Sequence, residues 1–211
     1  MYQLTSVLDT VRVTEASSRA FLMRFFTALG ANEEEARINA DGIVTAAMWW
    51  HPGQGQGFEK LPRYARRLQT GGLVGDAPMF WVMDRTSTAL LDAAGGLGYV
   101  SAHRAMDKAI EKARSSGIAM TAVRHSNHFG IAGYHAKYAA DEGLIGIAMT
   151  NAGAEMAPWG ASQPILGTNP WGLAVPRLHD MPIILDMALS VAARGKMRKH
   201  RDAGQSIPVG W

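Results

Sequence analysis

The sequence predicts an α/β protein, with a small helical region ahead of a region in which strands and helices alternate. Of its 211 residues 47% are hydrophobic and 18% are charged, which is enough apolar surface to bury a core. Up to about position 70, apolar residues recur every three or four positions, as in amphipathic helices. From about position 74, strand-like runs alternate with helical ones, which is typical of layered α/β domains. We therefore expect an α-helical domain at residues 1–73 and an α/β domain at 74–211.

The N-terminal region contains signals for three helices. A run of apolar residues at helical spacing predicts the first helix over 15–29. Asn32, followed three positions later by Glu35, is a capping signal for the second helix. The third helix follows a glycine loop, with Pro62 in its first turn, where proline is tolerated, and Gly71 and Gly72 at its end.

The second region is predicted to begin with a β-hairpin, built from strands at 79–83 and 88–91. The elements predicted after it are a helix at 99–115, a strand at 118–123, a helix at 130–142, strands at 144–150, 171–175 and 182–185, and a basic helix from about 189.

Composition and charge argue against several classes of protein. The sequence has no cysteine, which excludes disulfide and thiolate chemistry, and its net charge of +3 is weak support for nucleic-acid binding. Two basic runs, at 60–67 and 194–201, have helical character, and a solvated helix face explains them. The apolar run at 144–149 is far too short to cross a membrane, and the first residues show no signal-peptide pattern. We expect a cytoplasmic protein with neither nucleic-acid nor membrane partners.

Two glycine-rich stretches could approach a phosphate. In HPGQGQG, residues 51–57, the glycine spacing and the helical segment before it do not match the dinucleotide fingerprint, which follows a strand. Gly95, Gly96 and Gly98 lie between a strand and a helix, where backbone amides could meet a phosphate, but a tight turn explains them equally well. Neither stretch assigns a function.

The segment AVRHSNHFGIAGYHA places polar side chains where a predicted strand ends, a common position for α/β sites. A histidine there can exchange a proton with a carbonyl or alcohol oxygen. Packing or capping explains each single histidine equally well. Two further alternatives are a metal site formed by His125, His128 and His135, and a hydrolase nucleophile at Ser126, which lacks the G-x-S-x-G context.

The stretch RHSNHFGIAGYHAKYAADEGLIGIAMTNAGAEMAPWGASQPILGTNPWGLAVP, with IILDMALSVAARGKM and IPVGW after it, resembles the malate/L-lactate dehydrogenase family of NAD(P)-dependent oxidoreductases. The resemblance is strongest over 123–195. It implies a helical first domain and a nicotinamide-binding second domain with a mixed sheet, the L-sulfolactate dehydrogenase-like fold, which is not a Rossmann fold. It also implies NAD or NADP as cofactor, a small carboxylate as substrate, and a homodimer with active sites near the subunit interface.

The resemblance assigns roles to individual residues. His128 corresponds to the family's acid/base histidine in H-F-G, and Ser126 and Asn127 belong to the same substrate-facing loop. Lys60 and Tyr64 are candidates for binding the substrate carboxylate. Residues implied to bind the cofactor are Ala152, Thr168, Asn169, Asp186, Met187, Ala188 and Ser190. Asp186 could orient an imidazolium or a ribose hydroxyl, and it could equally cap a helix. No metal ligand is implied.

The sequence departs from the family pattern at two positions of one loop. Relatives usually read S-H-G-x-x-R before L-P-R-Y, whereas Gln56 stands here at the histidine position and Lys60 at the arginine position. Gln56 is a catalytic candidate together with His128, because glutamine can hydrogen-bond the reacting oxygen, but it cannot usefully donate a proton. Acid/base work then falls to His128, or to His51 if the loop folds back. Lys60 keeps the charge but loses the bidentate fork that arginine offers a carboxylate.

The sequence also stops soon after I-P-x-G-W, where family chains continue, so we expect a fragment whose α/β domain is incomplete. The leading hypothesis is a dehydrogenase that moves a hydride between NAD(P) and a small 2-hydroxy or 2-oxo acid. The alternatives are a metal-dependent hydrolase using the three histidines, and a cofactor-binding fragment with impaired catalysis.

Overall fold

A computed structural model describes residues 12–49 and 57–211. The predicted catalytic candidate Gln56 and most of the glycine loop, including His51, lie outside the described residues. Predictions made for them therefore remain predictions.

The three predicted N-terminal helices are confirmed. They are α1 (Glu15–Ala28), α2 (Glu33–Met48) and α3 (Leu61–Gln69), the last preceded by a 3-10 turn at Phe58–Lys60. Asn32 caps α2 as expected, because its side-chain oxygen accepts the Glu35 amide at 2.9 Å. Pro62 lies in the first turn of α3, where its missing N–H has no partner to lose.

The first sheet contains β1 (Phe80–Asp84), β2 (Thr88–Asp92) and β3 (Met120–Arg124), in that spatial order. Strands β1 and β2 form the predicted antiparallel hairpin. Strand β3 runs parallel to β2, because the long helix α4 (Gly98–Ser116) connects them as a crossover. The carboxyl ends of β2 and β3 therefore lie side by side, and the loop with the predicted catalytic histidine starts there.

The second sheet contains β4 (Gly146–Met149), β5 (Trp171–Val175) and β6 (Ile183–Met187), and it is antiparallel throughout. Helix α5 (Ala132–Asp141) packs on one face, which it approaches closely because Gly146 and Gly172 have no side chains. The mixed, non-Rossmann α/β fold that the resemblance implies is thus confirmed.

The last helix, α6, spans Arg194–Asp202, so the prediction that it begins near residue 189 was wrong. The Leu189 amide donates to the Thr168 carbonyl at 2.8 Å. This bond ties the chain just after β6 to a distant turn, and residues 189–192 form bends, so the helix starts only after them.

One apolar core joins the N-terminal helices to α4. Its residues include Leu22 and Phe26 of α1, Ile43 of α2, and Tyr99 and Val100 of α4, all fully buried. A smaller core of alanines lies between α5 and the second sheet. In the described part of the chain, no helix combines the length and apolar character that a membrane crossing requires.

Gly42 allows α2 to lie directly against the Tyr99 ring. A Cβ at Gly42 would overlap three carbons of that ring. We expect Gly42→Ala to lower the free energy of unfolding by about 1–3 kcal/mol, because over-packing a fixed core outweighs the gain in helix propensity. Urea unfolding measures this, with Gly153→Ala as control, since a Cβ there meets nothing within 4 Å. Equal midpoints for the two variants would contradict the packing argument.

Candidate active site

The site is built around a contact between His128 and Tyr64. His128 lies in the loop between β3 and α5, and its Nδ1 is 3.0 Å from the Tyr64 Oη. The two rings meet edge to face, with centroids 6.2 Å apart. Tyr64 is buried on α3, where Phe26 packs against its ring. The structure thus brings together the predicted proton-transfer residue and a predicted substrate-binding residue that are far apart in sequence.

Positive charges surround this pair. Burial, and to a smaller extent the nearby cations Lys60, Arg63 and Arg67, lowers the pKa of His128 to about 3. Burial also lowers the pKa of Lys60, with added repulsion from Arg63 and Arg198, whereas burial raises the pKa of the Tyr64 phenol. At neutral pH His128 is therefore uncharged in the free protein, and the cations around it favour binding of an anion.

Asn127 connects this cationic helix to the β2–α4 turn. Arg67 donates to Asn127 Oδ1 at 2.6 Å, and Asn127 Nδ2 donates to the carbonyls of Gly95 and Gly96 at 2.7 and 3.0 Å. The neighbouring Ser126 hydroxyl shares a hydrogen bond of 2.7 Å with Ser101 on α4. Both predicted substrate-binding residues therefore fix the loop in place, and contact of either with substrate remains a prediction.

The glycines of the β2–α4 turn have structural reasons to be there. A Cβ at Gly98 would overlap the carbonyl oxygens of Asn127 and His128, so α4 can start beneath the histidine loop only without a side chain. Gly95 has φ +78°, a left-handed conformation that glycine adopts without strain. These observations favour the tight-turn interpretation of this stretch over phosphate binding.

The three histidines of the hydrolase alternative have separate environments. His125 Nδ1 contacts the buried Asp92 carboxylate at 3.0 Å, whereas His128 contacts Tyr64. His135 is buried, donates from Nε2 to the Phe129 carbonyl at 2.8 Å, and stacks on the Phe129 ring. Within residues 12–49 and 57–211, no group of three or more metal-ligating side chains is arranged around a common centre. The metal-dependent alternative thus has no support from the described geometry.

Two of the predicted cofactor residues are joined by a hydrogen bond. Asn169, in a left-handed conformation at φ +35°, accepts the Ala152 amide through Oδ1 at 2.9 Å. The turn that carries Thr168 and Asn169 is also bonded to Leu189, next to Ala188 and Ser190. These segments therefore converge, as the assignment requires, and their contact with a cofactor remains a prediction.

Asp186 contacts the first turn of a helix that is distant from it in sequence. From β6, its Oδ2 accepts the amide of Gly133 in the first turn of α5 at 2.9 Å. A carboxylate at this end is favoured by the helix dipole. Asp186 also forms one wall of a cleft of about 440 Å³, which Trp49, Met181, Pro182 and Ile184 complete. Asp186 is therefore not the N-cap residue of a helix, because Ile131 and Ala193 hold those positions in α5 and α6, but it binds the first turn of α5 from another strand.

Sequence reasoning assigned the basic residues of α3 to a solvated face and so missed Arg63 and Arg67. The signal was present in their spacing. Lys60, Arg63, Tyr64 and Arg67 stand at positions i, i+3, i+4 and i+7, which is the spacing of one face of a helix. No local pattern predicts that the charge of Arg198 acts on Lys60, because Arg198 belongs to α6 and Lys60 to the turn before α3, which are far apart in sequence.

The buried histidines make stability depend on pH. The pKa of His135 is lowered to about 4 by burial, and that of His128 to about 3, against about 6.5 in the unfolded chain. Below pH 6.5 the unfolded chain binds protons that the folded chain does not, so stability falls as the pH drops. The loss is at most about 1.4 kcal/mol per histidine per pH unit, and less for His128, which is only partly buried. The pKa of Glu35 is raised by burial, which opposes this loss at the acidic end.

Urea unfolding between pH 7 and pH 5 tests this expectation. We expect the midpoint to fall with pH in the native protein. In His135→Gln the fall should be shallower, because glutamine can keep the bond to Phe129 but does not titrate. Parallel pH profiles for the two proteins would show that His135 does not contribute.

The amino-acid sequence of the chain is similar to those of known dehydrogenases. A family profile described as malate/L-lactate dehydrogenase matches residues 13–211. The chain is 43% identical over 201 residues to a malate dehydrogenase of Pyrococcus abyssi, and 37% identical over 185 residues to a (2R)-3-sulfolactate dehydrogenase (NADP(+)) of Chromohalobacter salexigens. These alignments cover 95% and 87% of the chain, but only 55% and 54% of the relatives.

The fold of the chain is also similar to that of a solved dehydrogenase structure. Malate dehydrogenase from Pyrococcus horikoshii superposes with a TM-score of 0.86 at 41% identity, covering 94% of this chain and 56% of that one. The chain thus spans about 55% of the length of the curated relatives it matches, and the similarity extends through both the helical and the α/β regions.

Proposed function

Because the chain belongs to the malate/L-lactate dehydrogenase family, we propose that it takes part in transferring a hydride between a nicotinamide cofactor and C2 of a small 2-hydroxy or 2-oxo acid. The observation that carries the proposal is the contact between the buried Tyr64 and the partly buried His128, beside the cations Lys60, Arg63 and Arg67. Such a site attracts an anionic substrate and offers a titratable group to its oxygen.

His128 is the group that exchanges the proton. In the free protein the imidazole is neutral, because burial and the neighbouring cations oppose its protonation. A bound carboxylate offsets those cations and so makes a protonated His128 accessible. Nδ1 then donates to Tyr64 Oη, and Nε2 remains for the substrate oxygen. In the oxidative direction the same nitrogen accepts the proton of the alcohol.

The residues that would hold the cofactor are Ala152, Thr168, Asn169, Asp186, Met187, Ala188 and Ser190. One observation supports the fit: the Ser190 hydroxyl is buried and has no hydrogen-bond partner among the described residues, so a polar ligand atom could satisfy it. When bound, the nicotinamide ring supplies or accepts the hydride. We propose NAD or NADP, since one relative is named as NADP(+)-dependent.

The substrate we propose carries two negative charges. Relatives are named for malate and sulfolactate, acids with a carboxylate and a second anionic group. Lys60, Arg63 and Arg67 all act electrostatically on His128, so they could share the charge of such a ligand. We propose that Ser126 and Asn127 also bind the substrate, and that Gln56 acts with His128 by hydrogen-bonding the reacting oxygen.

We extend the proposal to a cytoplasmic homodimer. One face of the second sheet leaves Ile147, Met149 and Leu185 exposed, and a second subunit could cover such an apolar surface. A cysteine-free composition needs no oxidising compartment.

Oxidation of NADH and NADPH with oxaloacetate, sulfopyruvate and pyruvate tests the function. We expect turnover with at least one dianionic acid and less with pyruvate. Cofactor binding without turnover on any of the three would favour the impaired-fragment alternative. The absence of both cofactor binding and turnover would contradict the proposal.

Lys60→Ala should raise KM for the 2-oxo acid by about tenfold or more with a smaller change in kcat, because it removes a charged contact to the anion. Arg66→Ala is the matched control. It removes the same charge from α3, the helix that directly follows Lys60, but Arg66 is exposed and is not among the cations that act on His128. Equal effects of the two variants would mean that general charge, rather than the site, binds the substrate.

A further inference from the structure

Arg67 joins helix α3 to the loop that carries His128. Its Nη2 donates to two acceptors, the Gly72 carbonyl and Asn127 Oδ1, each at 2.6 Å. Gly72 lies in the turn that ends α3, and this turn is held to the helix because the Leu73 amide donates to the Arg67 carbonyl at 3.1 Å. The two acceptors take up both hydrogens of Nη2. The guanidinium is therefore aimed at the histidine loop by its own helix end.

Asn127 connects this contact to a junction of three chain segments. Its Nδ2 donates to the carbonyls of Gly95 and Gly96 at 2.7 and 3.0 Å. The Gly95 carbonyl also accepts the Val74 amide at 3.0 Å, and the Gly95 amide donates to the His125 carbonyl at 2.9 Å. The segment after α3, the β2–α4 turn and the histidine loop are thus bonded to one another around one glycine. At most one lone pair of Asn127 Oδ1 remains for a substrate.

Helix α3 holds the histidine loop at two neighbouring points. Tyr64 contacts Nδ1 of His128 at 3.0 Å, and Arg67 contacts Asn127. Residues three positions apart lie on the same face of a helix, so these two contacts act side by side on consecutive loop residues. A single contact would let the loop rotate about it, whereas two contacts fix both the distance and the direction of the imidazole. The Arg67 side chain is only partly buried and lies outside the apolar core.

We propose that Arg67 is a positioning residue for His128, on which it acts through Asn127. The bridge sets the position of the histidine loop relative to α3, so that Nδ1 of His128 meets Tyr64 and Nε2 is left to the substrate. Arginine suits this role because its planar fork holds two acceptors in one geometry, whereas lysine presents a point charge on a flexible stem. Only the effect on turnover rests on the proposed function, because the bridge is a property of the free protein.

Arg67→Lys tests the bridge, since it keeps the charge and removes the fork. The decisive readout is the ¹⁵N chemical shifts of the His128 ring, which report its hydrogen bonds and need no substrate. We expect these shifts to change, and because the charge is kept, the change reports geometry. We also expect the Gly95 amide, which is bonded to His125, to exchange its hydrogen about tenfold faster or more. Unchanged His128 shifts, with or without faster exchange, would overturn the proposal.

Asn127→Ala breaks the same bridge from the other side. We expect it to change the His128 shifts in the same way, and we expect Arg67→Lys to add little in the double variant, because the two residues act as one unit. A full additional effect would mean that Arg67 acts by another route and would also overturn the proposal. Arg66→Lys is the matched control. It makes the same substitution on an exposed neighbour, whereas Asn127 is bonded to Arg67, so neither readout should change.

Kinetics separate this role from substrate binding. If the chain reduces a 2-oxo acid, kcat in Arg67→Lys should fall by about tenfold to a hundredfold, as for outer-shell partners of functional histidines. KM should change less, which is the reverse of the result expected for Lys60→Ala. A raised KM with an unchanged kcat would place Arg67 on the substrate and refute the positioning role. Altered shifts without any turnover in the native protein would refute the proposed function and leave the bridge intact.

Discussion

Replacing His128 with glutamine should lower kcat for 2-oxo acid reduction by about 10²- to 10⁴-fold, the contribution typical of general acid/base catalysis. Glutamine can still hydrogen-bond Tyr64, but it cannot exchange a proton with the substrate. Cofactor binding, measured by the fluorescence of bound NAD(P)H, should change little, because the proposed cofactor residues lie on other segments.

His125→Asn is the control for this experiment. His125 lies on the same loop but contacts Asp92, and its φ of +51° is in a region that asparagine adopts readily. We expect His125→Asn to keep most of the activity. Full activity in His128→Gln would move the proton-transfer role elsewhere, with His51 of the undescribed loop as the next candidate.

The sequence was sufficient for elements whose signals are local. The strand at Trp171–Val175 and the start of α2 at its Asn32 cap were predicted from alternation and capping alone. The start of α6 was misplaced because the bond between Leu189 and Thr168 joins residues that no local pattern relates.

For the candidate site too, the sequence identified single residues but not the contacts between them. The resemblance selected His128 and Tyr64, but their contact spans 64 positions of the sequence, so only the fold could show it. The three histidines looked equivalent as metal ligands because spacing does not reveal direction. In the structure α5 begins at Ala132 and turns His135 into the core, whereas His125 is held at the strand end by Asp92.

Core packing supports the site through Phe26. The Phe26 side chain is 0% exposed and meets the Tyr64 ring edge to face, with centroids 5.7 Å apart, so it fixes the phenol that contacts His128. Phe26→Ala should lower the free energy of unfolding by about 3–5 kcal/mol, a large part of the 5–15 kcal/mol typical of a native protein. Urea unfolding measures the loss.

The same substitution should also affect the site, because a cavity beside Tyr64 lets the phenol move away from Nδ1 of His128. Phe26→Leu separates the two effects, since it keeps most of the volume and should cost less stability. Phe21→Ala on the same helix, where the side chain is 45% exposed, should change stability little. If Phe26→Ala destabilised the protein no more than Phe21→Ala, the core would not support Tyr64. If Phe26→Ala strongly destabilised the protein but left the ¹⁵N chemical shifts of the His128 ring unchanged, the loop alone would hold the Tyr64–His128 bond, through Asn127 and Arg67.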